Sequence, residues 1–259
     1  MENTRHRKLL EHLRSHGDCT IADLARTFGT SAMTIRRDLK VLAEDGHVLR
    51  TFGGAAPAPS VAFEFNFLAK AQVNREAKEQ IAATACERVR DGQSLLLDSG
   101  TTTLALARRL KSRRNLRILT TSLPIASELQ YCENVEVVLL GGTLRRGSPD
   151  LTGPLTESIL ETVHCDLAFI GADGIDERGN VYNDSLLVGR MLAKMAAAAD
   201  RVYVVADHSK ANRKALSRFG RLAEWDGLVV DAAWDRRTLN KLERAGVHVI
   251  RPRQGKSKG

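Results

Sequence analysis

The chain has 259 residues, 43% of them hydrophobic and 27% charged, so it can bury a sizeable core as one large domain or two unequal ones. Its formal net charge of +8 favours a polyanionic partner. Cys19, Cys86, Cys132 and Cys165 are scattered without a Cys-x-x-Cys pair, which argues against a disulfide framework or a metal site. The first residues lack the apolar core of a signal peptide, and no apolar run approaches the roughly 18–20 residues of a membrane span, so the sequence reads as soluble and cytoplasmic, with no membrane partner.

At the start of the chain, Leu9, Leu10 and Leu13 form one apolar helical stripe ending near Gly17. Thr20-Ile-Ala-Asp23 has capping-box spacing ahead of Leu24, Ala25 and Phe28 at helical intervals. Gly29 interrupts that short helix, and Thr30 or Ser31 can cap the next. There Ile35, Leu39 and Leu42 stand at i, i+4 and i+7 and share a buried face. Gly46 is a suitable stop, and residues 47–54 read as a short strand running into a glycine-rich turn. Two short helices around a glycine turn make a helix-turn-helix, assigned to residues 1–56. With Ile35, Leu39 and Leu42 inward, Met33, Arg37 and Lys40 face outward and Arg36 lies on the flank. Arginine bridges guanine O6 and N7, while Ser31 and Thr34 reach phosphates or base edges from the helix N-terminus.

Ala55-Ala-Pro-Ala-Pro-Ser60 has the composition of a stiff linker, and the linker is drawn over residues 57–73. Phe63, Phe65 and Phe67 alternate within it as an extended docking segment. A helix starts near Asn74. Apolar strand candidates then fall at 94–97, 118–121, 135–140, 167–170, 202–206, 228–230 and 247–250, with helices including 103–110, 186–198 and 236–245 between them. This alternation implies an α/β domain over residues 74–250 with a largely parallel sheet. The basic, polar tail 251–259 reads as disordered.

At one strand-to-helix junction lies Leu95-Leu-Leu-Asp-Ser-Gly-Thr-Thr-Thr103. Gly100 admits a close ligand, threonine hydroxyls donate, and the following helix offers free N–H groups to an anion. The loop lacks the Gly-Lys of a Walker motif and the glycine spacing of a dinucleotide site, and no cofactor is implied. His12 and His16 stand at i, i+4 without a third metal ligand. His208 is read as a rim residue beside Asp207 and Lys210, not as part of a catalytic dyad. Neither a Gly-x-Ser-x-Gly elbow nor a His-Glu-x-x-His helix is present.

Ser31-Ala-Met-Thr-Ile-Arg-Arg-Asp-Leu39, with Leu42, Gly46 and Leu49-Arg-Thr-Phe-Gly-Gly-Ala55, closely resembles the signature of the DeoR family of bacterial repressors. The resemblance implies a recognition helix opening at Thr34 and a wing containing Arg50, hence a DNA-binding set of Ser31, Thr34, Arg36, Arg37, Lys40 and Arg50. Asp38 is expected to orient Arg36 or Arg37 through a charge-assisted pair. Asp98-Ser-Gly-Thr-Thr102, Leu140-Gly-Gly142, Phe169-Ile-Gly-Ala-Asp-Gly-Ile175 and Ala206-Asp-His-Ser-Lys210 follow in the order of that family's C-terminal domain. That domain is similar to ribose-5-phosphate isomerase and binds phosphorylated sugars or related catabolites.

Carried over, Ser99, Gly100, Thr101 and Thr102 hold the phosphate beside Asp98, Lys210 is the counter-charge, Asp173 and Gly142 line the sugar end, and Asp207 is nearby. Simple turn geometry is a second account of Gly141, Gly142 and Gly171. The implied whole is a winged helix-turn-helix domain followed by a sensor domain. It would repress a carbohydrate-catabolism operon, with double-stranded operator DNA and a phosphorylated sugar as partners and a dimeric or tetrameric assembly. The competing reading is a sugar-phosphate isomerase-like enzyme carrying a DNA-binding module. Many family members have Glu and Lys on the helix after the Gly-Ala-Asp-Gly turn, whereas Leu186-Leu-Val-Gly-Arg-Met-Leu-Ala-Lys194 has no carboxylate. An isomerase needs a placed base, so this departure weighs against the enzyme.

Overall fold

A computed structural model describes residues 4–44, 47–57, 67 and 69–253. The chain forms two compact units, one within residues 1–69 and one built on residues 70–145 and 149–259. Gly46, Phe63, Phe65, residues 58–60 of the expected linker and residues 254–259 of the tail lie outside the described residues.

In the first unit, helix α1 (Thr4–His16) leads through β1 (Cys19–Thr20) into α2 (Ile21–Thr27) and α3 (Ala32–Glu44). The hairpin of β2 (Val48–Thr51) and β3 (Gly54–Pro57) follows. Leu9, Leu10 and Leu13 meet Leu24, Ile35, Leu39, Leu42, Val48 and Ala55 in one core, as the helical spacing requires. Both helix starts are capped. The Thr20 hydroxyl accepts from the Asp23 amide at 3.1 Å and donates to the Asp23 carboxylate at 2.7 Å. Ser31 Oγ accepts from the Thr34 amide at 3.1 Å, which makes Ser31, not Thr30, the cap of α3.

Ala55, Ala56 and Pro57 have linker composition yet form strand β3, which pairs antiparallel with both β1 and β2. Small residues are needed there because the strands close tightly. A Cβ on Gly54 would stand 2.2 Å from the Cys19 carbonyl oxygen, and the preceding Gly53 has φ +88°, a left-handed conformation. Composition registers the small side chains but not the strand that presses on them.

The second unit opens with α4 (Arg75–Cys86) and alternates β4 (Ser94–Leu97), α5 (Thr101–Leu110), β5 (Leu116–Thr120), α6 (Leu123–Leu129) and β6 (Val135–Leu139). After the small hairpin β7 (Thr143–Leu144) and β8 (Leu151–Thr152) come α7 (Pro154–Leu160), β9 (Cys165–Gly171), β10 (Gly174–Ile175), β11 (Asn180–Asn183), α8 (Leu186–Ala197) and β12 (Ala199–Val205). The chain ends with β13 (Ser217–Arg221), β14 (Gly227–Val229), α9 (Arg236–Arg244) and β15 (Val249–Ile250). Among the described residues the main sheet has seven strands in the order β15-β14-β12-β9-β4-β5-β6, and each pairing is parallel.

These are the seven apolar runs expected from sequence, shifted by a few residues. They read as continuous runs because helices cover both faces, so Leu95, Leu96 and Leu97 are all fully buried. Helices α6 and α7 were not among the expected elements, although Ser122 caps α6 and prolines open both. The β7–β8 hairpin and the antiparallel sheet β10-β11-β13 were also unanticipated, being too short for any period to show. Of the tail, Arg251 and Arg253 pair with Glu243 at 2.9 Å and Glu87 at 3.5 Å.

The contact at Gly54 yields a stability test. Gly54→Ala forces a methyl into the β1 backbone and is expected to destabilise the first unit by about 2 kcal/mol or more, as overpacking against backbone does. Circular dichroism of residues 1–69 against temperature measures it, and an unchanged melting curve contradicts the packing.

Candidate functional site

Helix α3 presents two arginines without internal partners. Arg36 and Arg37 are exposed on α3 and make no ion pair or hydrogen bond among the described residues, and the same is true of Arg50 on β2. Lys40 is exposed and lies 3.8 Å from Glu44 one turn on, a surface pair of little energetic consequence. Ser31 is exposed and Thr34 half-buried, and their hydroxyls lie 2.9 Å apart, so both also serve the cap.

Asp38 does not pair with Arg36 or Arg37 as expected. Its side chain is buried and accepts from Arg5 Nε at 2.6 Å and Arg5 Nη2 at 3.0 Å, with His6 Nε2 at 3.1 Å. Helical periodicity explains the correction, because Asp38 follows Ile35 by three residues and points inward, where α1 supplies the cations. Burial opposes its charge, but the bonds from Arg5 and His6 prevail and hold the carboxyl below the usual range.

The second candidate site lies at the carboxyl edge of the parallel sheet. From β4 the chain builds outward through β5 and β6, and later fills the other side with β9, β12, β14 and β15. The strand order therefore reverses between β4 and β9, the place where open α/β sheets leave a crevice. Asp98 ends β4 there. It is buried, and its two carboxylate oxygens accept from the Ser99 amide and, at 2.9 Å, from the Gly171 amide at the end of β9. Gly171 has a steric duty, since a Cβ there would stand 2.8 Å from Asp98 Oδ2.

Burial pushes the Asp98 carboxyl up to about 6, the charges of Asp150 and Asp173 push the same way, and the two amides resist. The Ser99 hydroxyl donates to Asp150 Oδ2 at 2.9 Å, so both protons of Ser99 are used internally. Asp150 is fully buried and takes a bidentate pair from Arg145, with both contacts at 3.0 Å.

Gly100 is the N-cap residue of α5 and provides no side-chain cap. The first-turn amides of Thr101 and Thr102 consequently stay open to an anion, and their hydroxyls are uncommitted among the described residues. Thr103 turns inward, its hydroxyl 2.6 Å from the Asp98 carbonyl oxygen. At the end of neighbouring β5, Thr121 Oγ1 is the buried side-chain oxygen left without a partner among the described residues.

Asp173 follows β9, is half-buried, and accepts from the Asp184 amide at 3.1 Å. Asp207 follows β12 and is buried. It accepts from the Ser209 amide at 2.9 Å and from Asn74 Nδ2 at 3.1 Å. Burial disfavours its charge, but the bonds from Ser209 and Asn74 and the charge of Lys210 hold it below the ordinary range. Lys210 is half-buried, and its ammonium makes no hydrogen bond or ion pair among the described residues, its charge acting on Asp207 through space. Gly142 packs against the end of β8 and the first turn of α7, where a Cβ would stand 2.8 Å from the Thr152 carbonyl oxygen and 2.1 Å from Thr156 Oγ1. Close packing thus restricts both this position and Gly171 to glycine.

Several residues here were not read from sequence. Asp150 and Arg145 sit in a loop without period. Lys78 was visible in principle, because it lies at i−3 and i−7 from Ile81 and Ala85 on the buried stripe of α4. Its ammonium donates to the carbonyls of Lys70, at 2.9 Å, and Val73, and burial pushes its pKa down against the opposing charge of Asp207. His208, read as a rim residue, bonds Asp231 Oδ2 at 2.8 Å through Nδ1. The carboxylate missing from α8 is supplied by α7: Glu157 lies 2.8 Å from Arg190 and 3.7 Å from Lys194, and Glu161 also pairs with Lys194.

Comparison with known proteins places both units. The DeoR-like helix-turn-helix domain matches residues 5–60, and the DeoR C terminal sensor domain matches residues 73–232. The chain belongs to the DeoR family of transcriptional regulators. The HTH-type transcriptional regulator GlpR of Haloferax volcanii is 35% identical over 246 residues, 95% of this chain and 96% of that protein. The glycerol-3-phosphate regulon repressor of Escherichia coli K12 is 32% identical over 231 residues, 89% of this chain and 91% of that one. Among solved structures, ribose 5-phosphate isomerase A of Methanocaldococcus jannaschii aligns with a TM-score of 0.40 at 21% identity, covering 53% of this chain and 55% of that one. In this DeoR-family chain no described helix is long and apolar enough to cross a membrane.

The buried carboxylate makes a pH test of the sensor unit. A folded-state value of about 6 lies above the ordinary 3.9 or so, hence the folded chain holds this proton more tightly. The stabilisation is complete at acid pH and is lost as pH rises through 6. The unfolding free energy of wild type minus that of Asp98→Asn should fall by up to about 3 kcal/mol between pH 4 and 7. Urea unfolding followed by the fluorescence of Trp225 and Trp234, the chain's 2 tryptophans, measures the difference. A difference that does not change with pH contradicts the raised value.

Proposed function

We propose that this chain is a sequence-specific repressor of a carbohydrate-catabolism operon, set by a phosphorylated sugar or related catabolite and acting by binding, without turnover. It works in the cytoplasm as a homo-oligomer, a dimer or tetramer, on double-stranded operator DNA. The observation that carries the DNA half is the exposed, unpartnered pair Arg36 and Arg37 on a helix whose adjacent carboxylate, Asp38, is occupied elsewhere. Ser31, Thr34, Lys40 and Arg50 then position the phosphate backbone around the base-reading arginines. The sensing half rests on the loop at the sheet's reversal point. The open amides and hydroxyls of Thr101 and Thr102, after Gly100, take the phosphate and Lys210 balances its charge. Asp98, Asp173 and Asp207 accept sugar hydroxyls, while Ser99 and Gly142 hold the loops in shape. A relative named for a glycerol-3-phosphate regulon supports a small phosphorylated effector.

Arg37→Ala should cost about 1–3 kcal/mol on a matched operator and relax preference at one base position. Anisotropy titrations on matched and random duplexes check this, and equal losses on both reduce Arg37 to a phosphate contact.

The effector should change operator affinity by about 5–150-fold, and by linkage the operator should change effector affinity by the same factor. Thr101→Asp puts a carboxylate where the phosphate belongs, so it should abolish that response and leave effector-free operator binding intact. Titrating operator with both proteins, with and without each sugar phosphate, decides it. A mutant that responds like wild type places the effector elsewhere.

A further inference from the structure

Asn74 stands at the start of α4 with φ 51°, one of three non-glycine residues with a left-handed backbone among the described residues. Asparagine at such a position ordinarily caps the helix with its side chain, but no such bond is made here. Instead Asn74 Nδ2 donates to Asp207 Oδ1 at 3.1 Å, across 133 residues of sequence. This corner is where the chain enters the second unit. Lys70 is that unit's first residue, residues 70–72 are helical, and the turn follows at residues 73 and 74.

Lys78, one turn into α4, closes the corner from the other side. It is buried, and its ammonium takes the carbonyls of Lys70, at 2.9 Å, and Val73, satisfying the end of the incoming helical turn. The charges of Asp207 and Lys210 act on this ammonium in opposite directions, so the residues that shape the corner and those assigned to the effector form one cluster. Asp207 is their shared member. Its Oδ1 also accepts from the Ser209 amide at 2.9 Å. Ser209 is fixed two residues further along the same turn, whereas Asn74 belongs to another element and its left-handed backbone is held in place by this bond. A further donor arriving at the carboxylate therefore displaces Asn74 before Ser209.

We propose that the Asn74–Asp207 hydrogen bond latches the corner where the chain enters the second unit, and that an effector hydroxyl donating to Asp207 opens it. This rests on the sensing reading and adds the route by which the site reaches the chain leading back to the DNA-binding unit.

The test uses the full chain and a duplex that wild-type protein has selected from a random-sequence pool. Anisotropy gives operator affinity for wild type, Asn74→Gly and Asn74→Asp, alone and with glycerol 3-phosphate, ribose 5-phosphate or glucose 6-phosphate. Glycine keeps the left-handed backbone and loses the bond, while aspartate sets a second carboxylate against Asp207. Without any sugar phosphate, both variants should bind operator as wild type does with its effector, about fivefold or more away from effector-free wild type. Added effector should then change their operator affinity by about twofold at most, although calorimetry without DNA still shows it binding. Wild-type coupling retained in Asn74→Gly overturns the latch. So does a parallel loss of effector and operator affinity with a fall in melting temperature, which marks a purely structural bond. Variants shifted beside a wild type that no sugar phosphate moves uphold the latch and overturn the sensing reading. A responsive wild type beside unshifted, responsive variants does the reverse, and an unresponsive wild type beside unshifted variants overturns both.

Discussion

Asp98 stands where the strand order of the parallel sheet reverses, and its carboxylate joins the end of β4 to the Gly171 amide at the end of β9. The backbone ladder already pairs Leu95, Leu96 and Leu97 with Leu167, Ala168 and Phe169 there, and the Asp98 side chain adds a bond just beyond the last paired residues. A carboxylate suits the task because it accepts from both strands' exits at once, but the dry environment makes its charge costly, and its pKa rises to about 6. Just beyond it the chain turns into α5, whose first-turn amides at Thr101 and Thr102 lack intrahelical partners and receive no side-chain cap from Gly100. Ser99, Asp150 and Arg145 form a second line behind it, each committed to the next.

A buried carboxylate does comparable work in the first unit. Asp38 bonds to Arg5 and His6 and so fastens the recognition helix to α1. Had it turned outward, it would have neutralised Arg36 or Arg37 and repelled phosphates. Placing the acid inward keeps the exposed face of α3 cationic, and a chain of net charge +8 gathers unpaired cations where DNA would lie.

Helix α8 shows how a linear motif loses meaning in a folded chain. Residues 186–194 carry Arg190 and Lys194 and no carboxylate of their own. Glu157 and Glu161, some thirty residues earlier, close on both, so the cations are already balanced. A charge count along one helix cannot register a partner delivered by the neighbouring one.

Local pattern was enough for the elements themselves. Leu9, Leu13, Ile35, Leu39 and Leu42 mark buried faces by 3.6-residue spacing, and the seven apolar runs of the sheet stand out because burial on both faces removes polar residues from them. The capping hydroxyl Thr20 and the Gly-Thr-Thr loop were equally legible, and the cap of α3 was narrowed to Thr30 or Ser31, since each depends on neighbours within four residues. Strand order, the partner of Asp38, the bond from Asp98 to Gly171 and the strand made by Ala55, Ala56 and Pro57 depend on residues from tens of positions away. Such pairings are selected by the packing free energy of the whole chain. A sequence records which groups need a partner, and only the assembled sheet and helices decide which partner comes within 3 Å or so.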